Sequence, residues 1–411
     1  MEKVLILGGG AAGLAAAVRA SERAGTGVTV LERQGRVGRK LLSTGNGRCN
    51  LTNTGAAARD YRGMEGNAAA FAAPALRRFP PRAVMDAFAS LGLKTREEYG
   101  GRVYPYSDQA GSVLDVLRLA LTARGVTVIT GAAAACIRPL RGGGFRVEWE
   151  GGSLEAASVI VACGGCAGGK LGGVHDGYRL LKQLGHFITP LRPALAALRT
   201  APEYPRALKG VRVNALARLL LNGREAARAE GDVLFADTGL SGSAVFDLSL
   251  FYALRERETD AAAVTLCFFP GEERESLITA LEKNAARWGE EEANRIFTGL
   301  LQSRLGLMLC KRAGIGGNRN AKTLSREELT RAADAALSFT LPVEGSGGFE
   351  SAQITVGGAR TAEFDPETLE SRIVPGLYAC GEVLDVAAVC GGYNLQWAWA
   401  SGFAAGEASC S

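Results

Sequence analysis

The strongest constraint on the fold is a glycine-rich turn near the start of the chain. Gly8, Gly10 and Gly13 follow the order G-x-G-x-x-G. The turn joins an apolar segment at 4–7, which predicts a strand, to a segment at 13–24, which predicts a helix. The first glycine permits a tight turn, the second lets the backbone approach a pyrophosphate, and the third lets the helix pack on the strand. The positive end of the helix dipole then faces the phosphates.

A second predicted strand at 28–31 ends in Glu32, 19 residues after Gly13. This βαβ opening places a carboxylate where it accepts hydrogen bonds from the ribose hydroxyls of an adenosine. Because strand, turn, helix, second strand and acid all agree, we interpret the motif as a dinucleotide site and not as a glycine turn without a ligand. The motif alone does not distinguish NAD from FAD.

The apolar pattern predicts the order of elements along the rest of the chain. The first part continues with a helix at 112–123 and strands at 126–130, 145–149 and 159–162. Short alternating segments then predict β-structure at 211–221, 232–235 and 264–268, and the pattern from 272 to 339 is helical. Within that helical stretch, Ser325 and Glu328 have the spacing of a capping box. A strand at 376–380, a glycine turn and a helix at 394–405 close the chain.

The α/β character of the first part returns only at the end, which predicts one discontinuous domain with an insertion. We therefore predict an α/β fold in which a Rossmann-type domain comprises residues 1–189 and 349–411. The insertion is predicted to hold a β-rich domain at 190–270 and 338–348 and a small helical domain at 271–337.

Composition narrows the surroundings and the partners of the protein. Nine cysteines at scattered spacings, in a chain of 411 residues, fit a reducing cytoplasm better than a disulfide framework. No apolar run is long enough to span a membrane, and the glycines at 8, 10 and 13 argue against a signal peptide. The net charge is +5 with scattered basic residues, so no nucleic-acid groove is expected. The sequence leaves the oligomeric state open.

A longer pattern makes a family resemblance specific. Residues 38–53 read GRKLLSTGNGRCNLTN and match G-[RK]-K-x-x-x-[ST]-G-x-G-R-C-N-x-T-N throughout. Residues 103–110 and 159–165 are similar to two further elements, F-P-x-S-x-x-A and A-T-G-G, and residues 376–385 and 391–398 match the C-terminal motif almost completely. Residues 234–242 are similar to F-T-H-x-G-L-S-G-P, but Ala236, Asp237 and Ser243 replace Thr, His and Pro. The sequence thus resembles the aminoacetone-oxidase-like, BaiN-type family of FAD-dependent oxidoreductases.

The resemblance implies FAD as the cofactor and NAD(P)H as the electron donor. No metal is expected, because no second CxxC or paired histidines accompany Cys163 and Cys166. It makes the predicted Rossmann domain the FAD-binding domain, and the β-rich domain a cap that holds the substrate. The residues expected to bind the cofactor are Gly8, Gly10, Ala11, Ala12, Gly13, Glu32, Arg33, Arg39, Lys40, Gly45, Gly47, Arg48, Cys49, Asn50, Ala134, Gly164, Gly165, Gly381, Glu382, Gly392, Tyr393, Asn394 and Leu395.

The glycine turn that precedes the last helix suits the flavin ring. A reduced flavin carries negative charge near N1 and the C2 carbonyl, so backbone donors at a helix N-terminus stabilise it. The turn at 390–393 supplies such an end, and its glycines let the backbone reach the ring. Trp397 and Trp399 are interpreted as core residues, and Asp385 as a side chain that could simply be solvated.

Arg48 and Tyr393 are the candidate catalytic residues. Beside a flavin, Arg48 could bind the pyrophosphate, stabilise the anionic ring or orient a substrate oxyanion. Tyr393 is a candidate proton donor, together with Tyr104, Arg48 or water. Cys163 and Cys166 have CxxC spacing, but they follow a strand and do not open a helix, so they are interpreted as small packing residues.

Several functions remain open on the sequence. The leading hypothesis is a FAD enzyme that takes hydride from NAD(P)H and passes it to an unsaturated or carbonyl-conjugated small molecule, including bile-acid-like or steroid-like double bonds. An aminoacetone-type amine oxidase that uses oxygen is the alternative, since no second G-x-G-x-x-G marks a nicotinamide domain. A flavoprotein that acts on RNA is an alternative of another class.

Overall fold

The computed structural model describes residues 2–24, 27–255, 257, 259–316 and 318–410. Its strands are β1 (Glu2–Leu7), β2 (Val28–Glu32), β3 (Thr52–Asn53), β4 (Thr95–Glu98), β5 (Arg102–Pro105), β6 (Thr127–Thr130), β7 (Ala134–Pro139), β8 (Phe145–Trp149), β9 (Gly152–Val161), β10 (Arg192–Ala194), β11 (Leu198–Thr200), β12 (Arg212–Leu221), β13 (Arg224–Ala236), β14 (Gly239–Ser241), β15 (Ala262–Cys267), β16 (Phe339–Ser346), β17 (Ile354–Val356) and β18 (Leu377–Ala379). Its helices are α1 (Ala11–Ala24), α2 (Arg39–Ser43), α3 (Ala68–Arg78), α4 (Pro81–Ser90), α5 (Ala110–Ala123), α6 (Asp176–Gln183), α7 (Glu203–Ala207), α8 (Ser243–Ala253), α9 (Arg274–Arg287), α10 (Ser303–Arg312), α11 (Arg326–Leu337) and α12 (Tyr393–Ala408). Two units divide the chain: Met1–Pro193 with Phe349–Ser411, and Ala194–Gly348.

The first unit is built on a sheet whose order is β6-β2-β1-β9-β8-β7, with β18 paired to β9. Strands β6, β2, β1, β9 and β18 pair in parallel with one another, whereas β8 pairs antiparallel with both β9 and β7. The central strands are apolar and almost fully buried, as expected for a parallel sheet covered on both faces. Because β18 pairs beside β9, the end of the chain completes the sheet that the start of the chain began. The predicted discontinuous Rossmann-type α/β fold is confirmed.

Helix α12 packs against helix α1 at very short range. A Cβ at Gly402 would lie 2.5 Å from the Ala12 carbonyl oxygen, and one at Gly406 would lie 2.4 Å from that of Ala16. Glycine is therefore required at both positions, which are one helical turn apart and face α1. As predicted, Trp397 and Trp399 are buried in this region, where their indole N–H groups donate to the carbonyls of Gly381 and Leu51.

The second unit contains a closed barrel with the strand order β11-β14-β13-β12-β15-β16. The long hairpin β12–β13 turns at Asn222 and Gly223, whose φ values are 50° and 78°. Two consecutive positive φ values are typical of a type I′ turn, whose twist matches that of the paired strands. Helices α9, α10 and α11 share an apolar core with the barrel. The division of this unit into separate β-rich and helical domains stays a prediction.

The capping box at the start of α11 is confirmed. The Glu328 backbone N–H donates to Ser325 Oγ at 3.3 Å, and the Ser325 backbone N–H donates to Glu328 Oε2 at 2.9 Å. None of the helices in the described part of the chain is long and apolar enough to cross a bilayer.

We expect Ser325→Ala to lower the free energy of unfolding by about 1 kcal/mol, because the α11 N-terminus loses its side-chain acceptor. Urea denaturation followed by circular dichroism measures this change. The matched control is Ser276→Ala, which removes a hydroxyl that donates to Glu272 on the exposed first turn of α9. Equal losses in the two variants would contradict a specific role for the cap.

Candidate functional site

The turn between β1 and α1 requires glycine at two positions and leaves space at a third. A Cβ at Gly13 would lie 1.8 Å from the Gly8 carbonyl oxygen, and one at Gly8, where φ is 112°, would lie 2.5 Å from the Ala162 carbonyl oxygen. At Gly10, by contrast, a Cβ would meet no described atom within 4 Å. The open side of the turn lies at the N-terminus of α1, where the first backbone N–H groups have no intrahelical acceptor. This geometry suits a pyrophosphate.

Glu32 ties the end of β2 to the same turn. Its Oε2 accepts the Gly9 backbone N–H at 2.8 Å, and its Oε1 accepts the Gln34 backbone N–H at 2.7 Å. The side chain is largely buried, yet each carboxylate oxygen keeps a further lone pair for a ligand hydroxyl. The Ala132 backbone N–H donates to the Glu32 carbonyl, and Ala134 follows Ala132 by two residues.

The motif segment at 38–53 has an unusual backbone after helix α2. Asn46 and Cys49 both have positive φ, at 55° and 60°, and so do Gly45 and Gly47. Non-glycine residues in this conformation concentrate at ligand sites. Asn50 is buried, and its side-chain oxygen Oδ1 has no hydrogen-bond partner among the described residues. A buried amide oxygen without a partner is costly, which indicates that a ligand group satisfies it.

Two predicted cofactor residues from distant parts of the chain, Lys40 and Gly165, lie against a third, Glu382. Lys40 Nζ lies 2.7 Å from Glu382 Oε2, and a Cβ at Gly165 would lie 2.4 Å from Glu382 Oε1. The same Oε1 accepts the Thr355 backbone N–H at 2.8 Å. Thr355 was not predicted, because no local motif marks it. These contacts fix the carboxylate of Glu382, which the family resemblance assigns to cofactor binding.

The C-terminal turn is positioned by the β3–β5 region. Gly391 and Gly392 have φ values of 117° and 100°, and a Cβ at Gly392 would lie 2.4 Å from the Thr52 carbonyl oxygen. Asn53 Nδ2 donates to the Gly391 carbonyl at 2.9 Å. Asn394 exchanges hydrogen bonds with the backbone of Ala388 through both ends of its amide. The backbone N–H groups at the start of α12 are thereby held in place.

A short segment that sequence reasoning missed, residues 61–64, holds the chain that leads into this turn. Tyr61 Oη donates to the Tyr393 carbonyl at 2.9 Å. Arg62 and Ala387 exchange backbone hydrogen bonds, and the Met64 backbone N–H donates to Asp385 Oδ2 at 2.8 Å. We name this segment the clasp.

Asp385 corrects one interpretation made from the sequence. It is not solvated: the residue is only 2% exposed, and its Oδ1 has no hydrogen-bond partner among the described residues. Burial raises the pKa of Asp385 to about 6. The local sequence hides this burial, because the clasp that covers Asp385 lies more than 300 residues earlier in the chain.

Arg48 lies in an ion-pair cluster on the β4–β5 hairpin. Its guanidinium binds Glu98 at 2.6 Å and Asp108 at 2.5 Å and stacks on the Tyr104 ring at 4.0 Å. Hydrogen bonds to Glu98 and Asp108 raise the pKa of Arg48. Its predicted catalytic role stays a prediction, and a ligand anion has to compete with two carboxylates for this cation.

Other predicted residues lie around the same site. Arg33 pairs with Asp176 at 3.2 Å, and Arg39 donates to Gln34 Oε1 and to the Lys170 carbonyl. Gly381 has a φ of 76°, and a Cβ there would lie 2.7 Å from the Ala12 Cβ. The remaining predicted positions are placed as follows: Ala11 and Ala12 in the first turn of α1, Gly164 after β9, and Leu395 in the first turn of α12.

The thiols of Cys163 and Cys166 lie in surroundings that do not suit redox chemistry. All nine cysteines lie in the described residues, and no disulfide joins any of them. Burial raises the pKa of Cys163 to about 12 and raises that of Cys166 as well. Thiols that stay protonated at neutral pH are poor nucleophiles. The interpretation of Cys163 and Cys166 as packing residues is consistent with this environment.

A second buried cluster has the composition of a hydrolase triad. His186 Nδ1 lies 2.9 Å from Glu363 Oε2, and His186 Nε2 lies 3.0 Å from Ser371 Oγ. However, Ser371 Oγ also accepts the backbone N–H groups of Ile373 and Val374, and the residue is buried. An oxygen that is fully engaged in this way cannot attack a substrate. The cluster instead joins His186 to the chain segment that contains Glu363 and Ser371.

These observations together fit FAD. The turn with open space at Gly10 suits the pyrophosphate, Glu32 suits the adenosine ribose, and Glu382 with Lys40 suits the ribityl chain. The buried Asn50 oxygen faces the C-terminal turn, since it would lie 2.9 Å from a Cβ at Gly392. The contacts at Glu382 and at Gly392 thus bring together residues from both ends of the chain.

Comparisons with known proteins found the following similarities. The HI0933-like protein Rossmann domain family matches residues 2–408. The 3-dehydro-bile acid delta(4,6)-reductase of Clostridium scindens is 38% identical, over 100% of this chain and 99% of its own. The ribosomal RNA dihydrouridine synthase of Escherichia coli is 27% identical, over 98% of this chain and 96% of its own. The solved 3-ketosteroid-delta4-(5alpha)-dehydrogenase of Rhodococcus jostii is 16% identical, with a TM-score of 0.48, and the match covers 100% and 96% of the two chains.

Gly10→Ala tests the position of the pyrophosphate. Since the added methyl group meets no described atom and φ at Gly10 is not positive, the variant should fold normally and keep its melting temperature within a few degrees. We expect its FAD affinity to fall about tenfold or more, because the methyl group occupies the space that the phosphates need. Flavin fluorescence titration of the apoprotein measures this. The control is Gly35→Ala, where a Cβ is equally unhindered; unchanged FAD affinity in Gly10→Ala would place the pyrophosphate elsewhere.

Asp385→Asn should stabilise the protein at high pH. Because the folded-state pKa lies above its usual value of 3.8, stability is lost as the pH rises from about 4 through 6, and the full cost is present above that range. We expect the variant to gain about 3 kcal/mol at pH 8, with the gain shrinking as the pH falls towards 4. Thermal unfolding across this pH range measures it.

Asp365→Asn is the control with the opposite sign. Burial acts to raise the pKa of Asp365, but hydrogen bonds from the backbone N–H groups of Thr368 and Glu367 outweigh it and lower the pKa. This variant should therefore lose stability at pH 8. An Asp385→Asn variant that is less stable than the parent at pH 8 would show that the carboxylate is compensated.

Proposed function

The chain belongs to the HI0933-like Rossmann family and is a FAD-dependent oxidoreductase, and from this premise we propose that it uses NAD(P)H to reduce a carbon–carbon double bond conjugated to a carbonyl group in a steroid-like molecule. The observation that carries the proposal is the 38% identity, over the full length of both chains, to a 3-dehydro-bile acid delta(4,6)-reductase. Such a relative supports both the reaction type and the substrate class.

Bound FAD supplies the hydride acceptor and donor for this reaction. The chain supplies binding and orientation: the open turn at Gly10 takes the pyrophosphate, Glu32 takes the ribose hydroxyls, and the Lys40–Glu382 pair holds the ribityl region. The backbone N–H groups at the start of α12 would stabilise negative charge on the flavin ring.

Reduction of a conjugated double bond also needs a proton at the carbon next to the carbonyl. We propose that Tyr393 Oη donates it, directly or through water. The main chain of Tyr393 is fixed by the clasp, because its carbonyl accepts Tyr61 Oη at 2.9 Å. A fixed backbone at the first residue of α12 limits where the phenol can reach, which suits a positioned acid.

An RNA substrate is the second candidate, because a ribosomal RNA dihydrouridine synthase is 27% identical over 98% of this chain. Formation of dihydrouridine likewise reduces a double bond conjugated to a carbonyl, so the reaction type is common to both relatives. In the helical stretch of the second unit, Arg274, Arg319, Lys322 and Arg326 are engaged in ion pairs with carboxylates of the same unit, so these four cations offer less positive charge to phosphates.

Anaerobic stopped-flow mixing of the FAD-loaded enzyme distinguishes the candidates. We expect NADH or NADPH to bleach the flavin band, and a 3-oxo-4-ene steroid to restore it within the steady-state turnover time. Bleaching by aminoacetone, followed by reoxidation with oxygen and not with the steroid, would establish the amine oxidase instead. Reoxidation by a uridine-containing ribosomal RNA fragment, and not by the steroid, would establish the RNA-directed reductase.

A further inference from the structure

Arg102 is an exposed cation beside the turn that precedes α12. It begins β5, and its Nε would lie 3.7 Å from a Cβ at Gly391. Among the residues that the structure describes, its guanidinium forms no hydrogen bond and no ion pair. A guanidinium left without a carboxylate partner beside a ligand site is suited to a bidentate contact with an anionic group.

The neighbouring cations differ in this respect. Arg48 and Arg96 both bind Glu98 and Asp108, so two guanidiniums and two carboxylates form a closed cluster. Glu98 is the register partner of Arg102 across β4 and β5, yet its carboxylate is used by the other two arginines. Arg102 is therefore the cation of this hairpin that keeps its charge available.

The same hairpin presents an unusually exposed aromatic side chain. Tyr99 is 98% exposed, and it precedes Gly100 and Gly101, both of which have positive φ. Asn53 Nδ2 donates to the carbonyls of both Gly100 and Gly391, so the hairpin tip is fixed to the C-terminal turn through one amide group. Exposing a large aromatic ring to water is unfavourable, and a ligand that packs on the ring removes this apolar area from water.

We propose that Arg102 and Tyr99 form a recognition site for an anionic, planar polycyclic substrate. Arg102 binds a carboxylate on the substrate, and Tyr99 packs on a face of its ring system. This inference rests on the proposed function and adds to it the substrate class, an unsaturated ketone that carries an acid group.

The test uses two matched probes and the oxidised, FAD-loaded enzyme. The probes are 3-oxo-4-cholenoic acid and its primary amide, which differ only in the charge of the side chain. Their dissociation constants are read from the change that each causes in the flavin absorbance band, and kcat/KM is measured in parallel. We expect the parent enzyme to bind the acid about tenfold or more tightly than the amide, with the preference falling as salt rises.

Arg102→Gln should abolish the preference by weakening only the acid, whereas Tyr99→Ala should weaken both probes to a similar extent. The controls are Arg141→Gln, which removes an exposed arginine in the turn between β7 and β8, and Tyr106→Ala, which removes a half-exposed tyrosine just past the other end of β5. Both controls should behave like the parent.

The outcomes separate the inference from the function on which it rests. If both probes bind and are reduced but Arg102→Gln keeps the preference for the acid, the recognition site is wrong and the proposed function stands. If Arg102→Gln shifts only the flavin reduction potential, the cation acts on the flavin ring, so the recognition site is again wrong and the proposed function stands. If neither probe binds to the parent enzyme or is reduced by it, the proposed function and this inference both fail.

Discussion

The direct contact between the backbones of α1 and α12 is the constraint on which the cofactor site depends. With glycine at 402 and 406, the last helix lies against the carbonyl oxygens of Ala12 and Ala16. Gly381 then lies against Ala12, and its backbone N–H donates to Ser401 Oγ at 2.9 Å. A larger side chain at either helical glycine would separate the turn that suits the phosphates from the turn that suits the flavin ring. The two halves of the site are thus placed by helix packing, and the ligand groups only complete it.

Local chemistry explains how much could be predicted from the sequence. The turn at Gly8 to Gly13 was predictable, because Gly13 packs on the Gly8 backbone within the βαβ unit and Gly10 leaves the space that a pyrophosphate needs. The Ser325 cap was predictable for the same reason, since it joins residues three positions apart. The family resemblance extended this to the motif segment at 38–53 and to the C-terminal turn. Their positive φ values and the buried Asn50 oxygen explain why such a motif needs those residues.

Long-range pairing explains what could not be predicted. Whether Arg48 is available depends on Glu98 and Asp108, which the β4–β5 hairpin brings to it and which no spacing rule connects to it. The burial of Asp385 depends on the clasp, more than 300 residues away. Membership of a motif therefore identified where a charged residue lies, but not whether its charge is already balanced. The motif arginine Arg48 is paired with carboxylates of this region, whereas Arg102, outside any quoted motif, has no carboxylate partner among the described residues.

Four buried groups of the first unit, Cys49, Tyr178, Cys380 and Asp385, share one electrostatic property: their surroundings favour the neutral form. Burial raises the pKa of Cys49 to about 12, raises that of Cys380 further, and holds that of Tyr178 well above its usual value. Asp385 responds to burial in the same direction. In such surroundings a negative charge on a bound ligand is costly unless dipoles or cations are aimed at it. The backbone N–H groups at the start of α12 would stabilise negative charge on the flavin ring. The guanidinium of Arg102 beside them would stabilise negative charge on the substrate.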